Sequence, residues 1–85
     1  MKKITISVTF LEWGHGSINV IPSSYKEWDP VESGSQDYNL DPGDYTIMYD
    51  TVTGNGGSIT VSGVNPPLSD TLDKGSYSGH FRITI

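Results

Sequence analysis

Neither cysteine nor alanine occurs in this chain of 85 residues. Without cysteine there is no disulfide framework, no thiolate metal site and no cysteine nucleophile. Without alanine, the strongest helix former, and with leucine and glutamine scarce, there is little from which to build helices. Basic residues are few: five Lys and Arg stand against ten Asp and Glu, a formal charge of −5. Nucleic-acid affinity rests on cations that neutralise phosphates, so this balance disfavours such partners and anionic membrane surfaces alike. It suits a cation, a basic protein partner, or solubility alone. No apolar run approaches the roughly 18 residues of a membrane-spanning helix. The lysines of MKKITISVTF are followed by alternating residues, not by the apolar stretch of a signal peptide. A cytoplasmic location is therefore the default, with a mature extracellular domain the alternative.

What the chain has is β-branched and aromatic residues, with ten glycines and five prolines to supply turns. This is the composition of an all-β domain. Residues 1–85 are read as a single domain, short enough to bury only roughly 60% of its unfolded surface.

Apolar residues alternate in several segments. Ile4, Ile6, Val8 and Phe10 share one face, with a break in phase at Leu11 that predicts a bulge or sharp twist. GHGS at 14–17 reads as a turn, and INVI at 18–21 as a strand ended by Pro22. Residues 22–39 are irregular, with at most one helical turn in SSYKEW. DYTIMYDTV at 44–52 predicts a strand with Tyr45, Ile47 and Tyr49 inward. GNGG at 54–57 is a hairpin signal leading into SITVS, and residues 63–75 read as a loop. SYSGHFRITI closes the chain, with Tyr77, Phe81, Ile83 and Ile85 inward and Ser78, His80, Arg82 and Thr84 outward. Gly79 falls on the inward side, which predicts a bulge or a close approach of neighbouring groups. Five or six antiparallel strands and no helix to cover them predict a small β-sandwich, with a small barrel as the alternative.

Leu-Asp-x-Gly-x-Tyr occurs twice, as LDPGDY at 40–45 and LDKGSY at 72–77. Each reads as a corner entering a strand, the first through a type II turn over Asp41-Pro42-Gly43-Asp44. LDPGDYTI resembles the Leu-x-Pro-Gly-x-Tyr-Thr strand entry of prealbumin-like and immunoglobulin-like sandwich modules, including repeat domains of bacterial surface proteins. The resemblance spans eight residues and implies a module that binds or spaces and does not catalyse. An isopeptide of the surface-protein type would use Lys3, but the last strand holds no asparagine. YSGHF at 77–81 is similar to the aromatic-x-Gly element of βγ-crystallin domains, which would make the fold a Greek key. The calcium loop of that family is matched only by Asn55 and Ser58 of NGGSITV, without a carboxylate.

No motif selects a catalytic chemistry. There is no Gly-x-Ser-x-Gly elbow, no phosphate-cradling glycine loop before a helix, and nothing that singles out one carboxylate pair. His15 and His80 follow glycines at a spacing without metal-site character, and read as surface histidines. Asp41, Asp44 and Asp50 are candidate ligands for a calcium ion, against their commoner use as turn formers.

The aromatics carry the functional lead. Trp13 adjoins a glycine-rich stretch, and Tyr25 and Trp28 lie in the irregular segment. A ring beside hydroxyl-binding groups is how lectin-like modules hold sugars, and Trp13, His15, Tyr25, Trp28 and Asp29 form the candidate carbohydrate site. The competing reading makes both tryptophans caps on an undersized core. A second function class is a protein-interaction or structural accessory domain. It would dock through Ser78, His80, Arg82 and Thr84 and could form homo-oligomers if their strand is an edge.

Overall fold

A computed structural model describes all residues, Met1–Ile85. Seven strands form and no helix: β1 (Lys2–Phe10), β2 (Gly14–Ile21), β3 (Gly34–Leu40), β4 (Asp44–Thr53), β5 (Gly57–Ser62), β6 (Leu68–Leu72) and β7 (Gly75–Thr84). They make two antiparallel sheets, a four-stranded one in the order β3-β1-β5-β6 and a three-stranded one in the order β2-β4-β7. The fold is the small antiparallel β-sandwich that the alternation predicts. Fourteen buried apolar residues from both sheets form its core, among them Ile4, Ile6, Val8, Ile18, Ile47, Ile59 and Val61.

The strand count and several turns differ from the sequence-based expectation. β3 arises inside the segment read as irregular, and β6 inside the one read as a loop. GHGS is no turn but the start of β2, while the turn itself lies at Leu11-Glu12-Trp13. GNGG joins no hairpin, because β4 and β5 belong to different sheets. Only β5 and β6 are consecutive strands paired within one sheet. SSYKEW forms no helical turn. At Asp41–Asp44, Gly43 has φ 155°, far from the value a type II turn requires.

The β3-to-β4 connection is instead a tyrosine corner: the Tyr45 hydroxyl donates to the Asp41 carbonyl at 2.7 Å. Gly43 also exchanges backbone hydrogen bonds with Ile85, at 3.0 and 2.8 Å, which ties the end of the chain to this corner.

The two sides of the sandwich are closed differently. On one side, residues 22–33 run from the edge of β2 to the edge of β3. Trp28 exchanges backbone bonds with Ile18 at 2.8 and 2.9 Å, and Pro30 accepts from the Gly16 N–H at 2.9 Å. The Tyr25 hydroxyl accepts from the Asn39 N–H of β3 at 2.9 Å. On the other side the chain crosses only through the short link Asp73-Lys74 between β6 and β7. Asp70 of β6 points inward and accepts from the hydroxyls of Tyr49 at 2.5 Å and Tyr77 at 2.9 Å, one from each neighbouring strand of the opposite sheet. A carboxylate at an inward position is satisfied only by such donors. It holds both tyrosines protonated: Tyr49 is pushed well above the usual tyrosine range by burial and by Asp70, and Tyr77 is raised chiefly by its bond to Asp70. Gly79 faces this cluster. A Cβ there would lie 2.6 Å from the Tyr49 hydroxyl oxygen, which is the close approach its inward position predicts.

Candidate functional site

Trp13 is held out of the core by the backbone. The Trp13 N–H donates to the Leu11 carbonyl at 2.9 Å, and Glu12 between them has φ 69°. This is a γ-turn with a positive central φ, the rare and strained hand, on a residue other than glycine. The turn is braced from the opposite connection: the Leu11 N–H donates to the Gly56 carbonyl, and the Gly54 N–H to the Trp13 carbonyl, both at 2.9 Å. The indole packs so closely on Gly54 that a Cβ there would fall 2.4 Å from Nε1. Trp13 remains 54% exposed all the same, and its ring stacks with that of His15, with centroids 6.2 Å apart and planes 23° apart.

His15 begins the outward-facing row of β2, which continues through Ser17, Asn19 and Ile21. Register carries this row across the three-stranded sheet. His15 pairs with Val52, Ser17 with Asp50 and Asn19 with Met48 of β4. Those residues pair in turn with Ser76, Ser78 and His80 of β7. A shallow groove of about 380 Å³ runs over this face, lined by His15, Ser17, Asp50, Ser76 and Ser78. Ser78 donates its hydroxyl hydrogen bond to Asp50 Oδ1. The groove therefore offers hydroxyls, one carboxylate and one imidazole, with the Trp13 ring beyond His15.

The docked segment adds two acids to the same face. Glu27 accepts from Asn19 Nδ2 at 3.1 Å. Bonds from Ser17 and then Asn19 hold its carboxyl below the usual range, while the neighbouring Glu27 holds Asp29 above its own.

The residues proposed from sequence thus divide. Trp13 and His15 come together, and Asp29 lies along the edge of β2 opposite Ser17. Trp28 is half-buried against the core with its backbone paired to Ile18, the cap on the core that the competing reading made it. Tyr25 packs edge-on against Tyr38 with centroids 4.9 Å apart, and its hydroxyl caps the β3 edge. Ser17, Asp50, Ser76 and Ser78 line the groove. Of these, sequence reading assigned Asp50 to a metal and Ser78 to a protein interface, and singled out neither Ser17 nor Ser76. The outward parity of three strands was the available signal, but it required knowing which strands adjoin. Ser78, His80, Arg82 and Thr84 do share the exposed face of an edge strand.

The aspartate grouping for a cation does not form. Asp44 and Asp50 lie six residues apart on one strand, about 20 Å at the usual rise. Asp44 accepts from the Thr84 hydroxyl, Asp50 from Ser78, and Asp41 lies in the corner before β4. No three His, Cys, Asp or Glu side chains come close enough to hold a metal ion.

No family model, no curated protein and no solved structure matches this chain.

Proposed function

We propose that this protein is a non-catalytic module that binds a carbohydrate on the outer face of its three-stranded sheet. The observation that carries the reading is Trp13: a large apolar ring, half open to solvent, fixed by a strained turn and by Gly54. Exposing an ordered indole serves no packing purpose, because Trp28 caps the core and Trp13 does not. A pyranose presents an apolar C–H face and a rim of hydroxyls. Its apolar face matches the indole, and its hydroxyls match the side chains of His15, Ser17, Asp50 and Ser78. The shallow groove suits a chain or terminal sugar lying along the sheet more than a ligand engulfed in a deep pocket.

The test is a glycan array run with calcium and again with chelator, followed by titration of any ligand found. Trp13→Ala is expected to abolish binding while leaving the melting temperature unchanged. Trp28→Ala is expected to lower the melting temperature. Signal lost on chelation would assign binding to a cation instead of the indole. Retention of full affinity in Trp13→Ala would overturn the reading.

A further inference from the structure

The edges of the two sheets are not alike. The edge of β2 is occupied by Trp28 and Pro30, and the edge of β3 is capped at Asn39 by Tyr25. β7 has ten residues, one neighbour and no cover. Its phase follows from the end of the strand. Gly43 and Ile85 exchange both backbone bonds, so alternate pairs from Tyr45–Ile83 to Thr53–Gly75 do the same. The residues between them, Ser76, Ser78, His80, Arg82 and Thr84, turn their N–H and C=O groups away from β4. None of those groups has a hydrogen-bond partner within the chain. On the inner face, Tyr77, Phe81 and Ile85 point toward the core yet stay only half-buried, because nothing lies beyond β7.

We infer that β7 pairs antiparallel with β7 of a second copy, making one six-stranded sheet across a two-fold axis at His80. The outward row is self-complementary in that register. His80 meets His80, Ser78 meets Arg82, and Ser76 meets Thr84 of the second copy. The row holds one formal charge, Arg82, and no acid, in a chain of net charge −5. Arg82 comes to lie against Ser78 of the other copy, whose hydroxyl is bonded to Asp50. Each copy therefore supplies a guanidinium to the carboxylate side of the other's groove. The pairing also covers Tyr77 and Phe81, and it leaves Trp13 free on both copies. It holds whatever the groove binds.

Sedimentation velocity over a wide concentration range tests this, using the whole chain and its His80→Pro and Arg82→Glu variants. Residue 80 directs its N–H outward, so proline there leaves the β4–β7 ladder intact and removes a donor only from the free edge. The expected result is a dimer for the parent chain, with dimer mass lost in His80→Pro. Arg82→Glu, which changes no backbone group, is expected to shift the equilibrium to monomer and so stands if the proline variant does not fold. A parent chain that stays monomeric at millimolar concentration would overturn the proposal and leave the edge to a segment of another protein. A dimer unaffected by Arg82→Glu and by a folded His80→Pro would overturn it as well.

Discussion

The two copies of Leu-Asp-x-Gly-x-Tyr do the same job by different bonds. Both carry the chain from an edge of the four-stranded sheet into neighbouring strands of the other sheet, β4 and β7. Both anchor on a buried leucine, Leu40 or Leu72. They part at the tyrosine. Tyr45 turns back to the Asp41 carbonyl, so the first corner is locked locally. Tyr77 ignores Asp73 and reaches the Asp70 carboxylate, which Tyr49 also reaches. The second corner is thus part of a lock between sheets. The difference follows from position. The first corner adjoins the side covered by residues 22–33, whereas the second lies on the side where, beyond the corner itself, only side chains join β6 to the opposite sheet.

The shared element is tested by Leu40→Ala and Leu72→Ala. Each empties a buried site, and each is expected to cost about 3 kcal/mol in urea denaturation. A large inequality between them would show that the corners differ in their apolar anchor as well as in their polar bonds.

The differing element is tested by the aspartates. Asp70→Ala leaves two tyrosine hydroxyls without their acceptor, at an expected cost of about 2 kcal/mol. Asp41→Ala keeps the carbonyl that the first corner uses and is expected to change stability by less than about 0.5 kcal/mol. Equal losses would break the distinction.

The smallest effect is one of pH. Tyr49 and Tyr77 have raised values in the folded chain, so folding favours their protonated forms. Their contribution is complete below the unfolded tyrosine value of about 10 and is lost as pH rises above it toward the folded values. Stability is therefore expected to decline above pH about 10 in the parent chain. The decline should be smaller in the Tyr49→Phe, Tyr77→Phe double variant, the remainder coming from Tyr38, which burial raises as well. The full decline should persist in Tyr45→Phe, which is expected to lose about 1 kcal/mol at neutral pH through its one hydrogen bond.

Particular residues show how far sequence reading reaches. β1, β4, β5 and β7 were legible because each carries aliphatic or aromatic residues at alternate positions of its inward row, as Tyr45, Ile47 and Tyr49 do in β4. β6 was not, because Leu68 and Leu72 flank an inward Asp70, and an inward carboxylate reads as loop. β3 was not, because its first four residues are polar and exposed at an edge, leaving only Tyr38 and Leu40 as signal. GNGG marked a reversal correctly but not the partner: turn chemistry acts over four residues, and a sandwich sends the next strand to whichever sheet has room. At the candidate site, Trp13 and His15 were legible as neighbours in sequence. Trp28 and Tyr25 were taken for ligand groups because their backbone and hydroxyl bonds reach strands far along the chain.

The sequence by itself determined the fold class, the inward and outward faces of four strands and the exposure of the β7 polar row. Strand side chains alternate with a period of two, so these are local properties of the chain. Only the tertiary structure decided which strands adjoin, which edges stay open and that His15, Ser17, Asp50 and Ser78 meet over one groove. Register between strands distant in sequence is set by closing a common core, and no stretch of the chain carries that information alone.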